Sequence, residues 1–144
     1  MTKDAGSVGK WISILNRHCQ AYISKNLKKY DIGSGQYIFI ITLFDNNGIS
    51  QDKLSEILSI DKGTTARALQ KLEAKGYIRR EIDDKDKRAY KVYATEKAYA
   101  IKPEIFKVLK ASSNILSENL TDTEKELAID LLKKMSVNAV SKLK

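Results

Sequence analysis

Between Lys62 and Lys75, four side chains, Thr64, Arg67, Gln70 and Lys71, are spaced so that a helix would gather them on one side. All four can donate hydrogen bonds and two are cationic. Arginine and glutamine can reach base edges in a major groove bidentately, while threonine and lysine suit a thymine methyl or a phosphate. The other side of the same helix, Thr65, Ala68, Leu69 and Leu72, follows the i, i+3, i+4, i+7 spacing of a buried stripe. A second cluster, Lys85-Asp86-Lys87-Arg88, lies further on in a polar loop. Any solvated helix surface could carry such residues. What distinguishes this one is its setting, a helix-turn-helix followed by a charged hairpin.

The positioning elements are legible around it. Ser50 is a good N-cap, Ile49 can staple onto Leu54, and Leu54, Ile57 and Leu58 give a short helix one apolar face. Ser59 to Asp61 make a turn, with Asp61 as the next N-cap. Gly76 stands where a left-handed C-cap is wanted, and Tyr77 can pack back on Leu72. Residues 77–82 and 88–93 are β-prone and flank the polar loop 83–87, which predicts a hairpin.

Asp61-Lys62-Gly63-Thr64-Thr65-Ala66-Arg67, Leu72-Glu73-Ala74-Lys75-Gly76-Tyr77-Ile78-Arg79-Arg80, Asp86-Lys87-Arg88 and Ala94-Thr95 together resemble the MarR family of winged-helix transcription regulators. Ile32 to Gln36 and Leu120 to Leu132 also look like segments of that family, so the resemblance spans nearly the whole chain. Departures are Ala94-Thr95 where the family has Leu-Thr, and Ala98 where it has glycine; both concern the start of the following helix. The resemblance implies a mostly α fold with a small β-hairpin, a winged helix-turn-helix with dimerisation helices from both termini. In this reading 1–144 is a single protomer, 34–97 the winged helix-turn-helix part, and 7–30 and 98–143 the dimerisation helices. It implies that Lys62, Thr64, Thr65, Arg67, Gln70 and Lys71 meet DNA. Lys85 and Lys87 would hold phosphates, and Asp86 would orient Arg88 into the minor groove. Arg79 and Arg80 are further candidates for phosphates.

At 144 residues with a formal charge of +8 and a pI near 9.5, the chain suits a polyanionic partner. The excess is spread evenly: six Lys and Arg against three Asp and Glu before residue 50, twelve against nine over 50–97, and eight against six after. The claim on DNA therefore rests on where the cations point. One cysteine excludes an intramolecular disulfide and a cysteine-built metal site, and one histidine excludes a multi-histidine site. His18 and Cys19 are helix neighbours pointing roughly 100° apart, which is no catalytic pair. No enzymatic activity and no cofactor are expected. Met1-Thr2-Lys3-Asp4 lacks the apolar core of a signal peptide, and the longest apolar run, near Tyr37 to Phe44, is far short of the ~20 residues that span a bilayer. A cytoplasmic protein without a membrane partner is the expectation.

The flanking segments read as helices. Ser7 to Tyr30 carries a broad apolar surface through Trp11, Leu15 and Tyr22, with Ile12, Cys19, Ile23 and Leu27 beside it. Gln36 to Asp45 is apolar nearly all round and belongs at the centre of a fold. After Thr95 a long stripe runs from Ile101 to Leu116, with a kink or break expected at Pro103. Thr121-Asp122-Thr123-Glu124 is a capping box opening a last helix. The terminal helices carry more apolar stripe than a small winged domain can cover, which predicts burial against a second copy.

The reading is a homodimeric, sequence-specific transcription regulator, with repression the expected sign, on an inverted-repeat operator in double-stranded DNA. The resemblance adds a small phenolic or anionic effector, for which Trp11, Tyr22, Tyr37 and Phe44 are candidate pocket lining. The alternatives are a winged-helix module that binds protein rather than DNA, and a redox-sensing regulator built on Cys19. Against the last, Arg17-His18-Cys19-Gln20 does not look like a sensor motif.

Overall fold

The computed structural model describes residues 6–143. The elements in order are α1 (Val8–Leu27), a 3-10 turn (Lys28–Tyr30), α2 (Tyr37–Asp45), β1 (Ile49–Ser50), α3 (Gln51–Leu58), α4 (Lys62–Ala74), β2 (Ile78–Ile82), β3 (Tyr90–Ala94), α5 (Glu96–Leu116) and α6 (Asp122–Lys142). The chain divides into two compact units, one ending at Ser112 and the other starting at Ser113.

The first unit is built round α2. Its Phe39, Ile40 and Leu43 are fully buried, as the all-round apolar sequence of this helix requires. Leu27 from α1, Leu54 from α3, Leu69 and Leu72 from α4, Val92 from β3 and Ile105 from α5 complete the core. The three strands are antiparallel in the order β1-β3-β2, with Ile49 opposite Val92 and Arg80 opposite the same residue from the other side. The expected hairpin is therefore one strand larger. Ile49-Ser50 joins it across more than forty residues of sequence, helped by Gly48 and Asn47. Gly48 donates to the Val92 carbonyl, and the Asn47 side chain accepts from the Ala94 N–H. Gly48 has φ +83, and a Cβ there would come within 3.1 Å of the Tyr93 ring, so both conformation and space call for glycine.

Of the kink or break expected at Pro103, the break does not occur. Helix α5 runs from Glu96 to Leu116 with Pro103 inside it. The buried side chains Ala98 and Ile105 fasten it to the core on either side of the proline, so tertiary packing outweighs one missing hydrogen bond. In the second unit, α6 opens with the full capping box, Thr121 and Glu124 each satisfying the other's backbone N–H.

Candidate nucleic-acid interface

Helix α3 starts on the Ser50 cap and ends at Ser59, whose φ of +53 turns the chain sharply toward α4. Asp61 then caps α4. Its carboxylate accepts from the Thr64 backbone N–H at 2.7 Å and from the Thr64 hydroxyl at 2.8 Å. These two bonds, the backbone one foremost, hold the Asp61 carboxyl below the ordinary carboxylate range. The cap is therefore charged at neutral pH and is lost only as pH falls through that lowered value. The Thr64 oxygen in turn accepts from Arg67 Nη2 at 3.2 Å. A ladder from Asp61 through Thr64 to Arg67 thus orders the first turns of the helix on its outer face.

Thr64, Arg67, Gln70 and Lys71 are all exposed. Lys62 is also exposed and forms an ion pair of 3.6 Å with Asp52. Thr65 is a correction: it is fully buried with the stripe Ala68, Leu69 and Leu72 and cannot touch DNA in this fold. Its position in the i, i+3, i+4, i+7 series already places it inward, and the helix period wins over its hydroxyl. At the other end, Gly76 at φ +82 closes α4 with the paired bonds of a Schellman cap, Gly76 to the Glu73 carbonyl and Tyr77 to the Leu72 carbonyl.

Two further bonds fix that end to the junction after α1. Lys75 Nζ donates to the Asp31 carbonyl at 2.6 Å, and the Tyr77 hydroxyl donates to the Tyr30 carbonyl. Burial foremost, and the nearby Asp31 charge, push the Tyr77 hydroxyl above its usual value and keep it a donor.

The loop between β2 and β3 is folded by its own side chains. Asp83 accepts from the Lys85 N–H at 2.8 Å, and Asp86 accepts from both the Arg88 N–H at 3.1 Å and Arg88 Nε at 3.3 Å. The Arg88 side chain is 93% exposed, so its guanidinium projects from the tip under the direction of Asp86. Lys85 and Lys87 are exposed beside it. Arg79 and Arg80 fare differently from the tip. Arg79 pairs with Glu81 and lies over the Tyr93 ring, and Arg80 turns from the strand toward Glu73 of α4 and Gln51 of α3.

Neither of the described concave sites gathers all four expected lining residues. Trp11 stands exposed near the start of α1, and Phe44 packs against Tyr99 and Phe106. Tyr37 is half-buried, its hydroxyl pushed up by burial and secondarily by its neighbour Cys19. Of the four, Tyr22 lines a concave site of about 190 Å³, with Asn26, Lys29, Tyr30, Glu104, Lys107, Val108 and Ala111. Trp11 and Tyr22 stand on α1, and Tyr37 and Phe44 on α2.

Comparison with known proteins agrees with this geometry. A model of the MarR family matches residues 34–90. Over 127 residues the chain is 31% identical to the HTH-type transcriptional regulator YybA of Bacillus subtilis (strain 168), covering 88% of this chain and 85% of that one. The crystal structure of a MarR transcriptional regulator from Methanosarcina mazei Go1 superposes with a TM-score of 0.88 at 42% identity, covering 92% of this chain and 96% of that one. A putative MarR family regulator from Listeria monocytogenes, solved in complex with a 26mer DNA, does so with a TM-score of 0.88 at 28% identity, over 93% and 89% of the two chains.

Proposed function

The chain belongs to the MarR family of transcription regulators, and on that premise we propose that it is a homodimeric repressor that grips an inverted repeat in double-stranded DNA. It is a regulator and not an enzyme. The observation that carries the reading is the exposed, ordered face of α4 beside a projecting, acid-guided arginine. Thr64, Arg67, Gln70 and Lys71 enter the major groove, Arg88 enters the adjacent minor groove, and Lys62, Lys85 and Lys87 hold phosphates. The Listeria relative complexed with a 26mer DNA supports this use of the fold.

Dimerisation is supported by apolar residues left in water. Val8, Trp11, Ile12 and Leu15 on α1 are 43–55% exposed, and Leu127, Leu131 and Leu132 on α6 are exposed as well. Covering both stripes with a second copy links two α4 faces, so half-sites lie about one helical turn apart, roughly 10 bp. Lys29, Lys107 and the tyrosines of the concave site support a small phenolic or anionic effector, with the Glu104 carboxylate in the same lining favouring a phenol over a strongly charged anion. Among the described residues no helix is long and apolar enough to cross a membrane, in keeping with action on DNA in the cytosol.

The test is selection of bound genomic fragments by the purified protein, followed by titration of the enriched duplex across salt. The expected result is one enriched inverted repeat and an affinity that falls steeply as salt rises. No enrichment, with binding only to protein and no salt dependence, would establish the protein-binding module instead.

A further inference from the structure

Arg80 stands on β2, yet its guanidinium touches three other elements. Nη2 donates to Glu73 Oε1 at 3.0 Å in the last turn of α4, and Nη1 donates to Gln51 Oε1 at 3.3 Å at the start of α3. Its central carbon lies 4.9 Å from the centroid of the Tyr90 ring on β3. Tyr90 pairs with Ile82 at the last rung before the wing loop, so the stack meets the wing at its root. Only 19% of the Arg80 side chain is exposed, and its Nε is buried.

These contacts leave little for a phosphate. An incoming phosphate would have to displace the Glu73 carboxylate, and that carboxylate would repel it. A planar fork, by contrast, can hold one helix, the start of another and an aromatic ring at once, which an ammonium cannot. The helix that bears Arg67 and the ribbon that bears Arg88 are joined through this side chain. Side chains that must meet two grooves together need their separation fixed to within a fraction of an ångström, and that is the work of a supporting residue.

We propose that Arg80 is a positioning residue that sets the wing against α4, so that Arg88 and the α4 face engage their grooves in a single register. Operator specificity then depends on a residue that touches no DNA. The inference rests on the reading of α4 and the wing as the DNA-binding face.

The full-length wild type and the variants Arg80→Gln, Arg80→Lys, Glu73→Gln and the double Arg80→Gln/Glu73→Gln would be titrated on the selected operator and on a scrambled duplex at several salt concentrations. The operator complexes would also be footprinted with hydroxyl radicals. Arg80→Gln, Arg80→Lys and Glu73→Gln should each lower the operator-over-scrambled preference about tenfold, the scale of one lost base contact. They should leave the salt slope nearly unchanged and blur minor-groove protection at the wing. The double variant should be no worse than the worse single one. A uniform loss on both duplexes with the slope reduced by about one would make Arg80 a phosphate contact and overturn the proposal. So would a Glu73→Gln protein that binds the operator as well as or better than wild type, a result that decides the matter even if Arg80→Gln does not fold. A wild type without any operator preference would instead sink the DNA reading beneath it.

Discussion

Helices α1 and α4 both carry regular apolar stripes, yet they spend them differently. In α4 the stripe Thr65, Ala68, Leu69 and Leu72 is buried to the last residue, while the polar side faces water. In α1 only the far end is covered. Ile23 and Leu27 are buried, whereas Val8, Ile12 and Leu15 at the same helical spacing are about half exposed. One helix is finished by its own chain and the other is not. Periodicity thus establishes that a face is apolar, but what covers that face is decided by distant parts of the chain or by another chain altogether.

The sharpest way to break the comparison is to make the unfinished half polar. Ile12→Asp with Leu15→Asp should leave the protomer folded by circular dichroism and turn the dimer into a monomer in sedimentation. Operator affinity should fall about 10²- to 10⁴-fold, since linked half-site contacts become independent ones. A dimer of undiminished affinity would show that this stripe is not the joining surface.

The finished stripe should respond in the opposite way. Leu69→Ala removes a fully buried side chain and should cost about 2–5 kcal/mol of protomer stability, measured by denaturant unfolding. Leu15→Ala should cost the isolated protomer far less. Equal losses would mean that both ends of the contrast are misread.

Within the interface, Arg67→Ala and Arg88→Ala should differ in kind. Loss of the Arg67 contact should cost about 1–3 kcal/mol and relax specificity at one base pair. Loss of Arg88 should weaken binding mainly where the flanks are A·T-rich. Two variants that bind every sequence as well as wild type would exclude both faces. The smallest effect is expected at Cys19, which is partly buried beside Tyr37. Cys19→Ser should bind the operator like wild type and should not alter the response to peroxide, checked by release from DNA under mild oxidant.

The parts of the fold governed by neighbouring residues were legible in the sequence. The Asp61 cap, the Gly76 stop and the Thr121 capping box are local chemistry, and each forms where its residue types predict. The Asp86–Arg88 pair belongs to the same class, with partners two residues apart. Features made by distant partners were not legible. Nothing near Ile49 announces a strand whose partner is Val92. Nothing near Arg80 shows that Gln51, twenty-nine residues earlier, would take its guanidinium from solvent. Pro103 shows the reverse: its local signal allows a kink or a break, and with Ala98 and Ile105 packed in the core on either side the helix does not break. The neighbours of Tyr37 and Phe44 likewise come from tertiary structure, as Phe44 against Tyr99 and Phe106 shows.

The short strand β1 has a bearing on solubility. A sheet has two edges with unpaired backbone groups, and each is a template on which another chain can add a strand and start an aggregate. Here one edge is Ile49-Ser50, too short to hold a foreign strand in register. The other, β2, carries Arg79, Arg80 and Glu81 in succession, which discourages an apolar newcomer. Self-association through the sheet is thereby closed off. A chain with so many apolar side chains in water is steered to meet its own kind through helices rather than by strand addition.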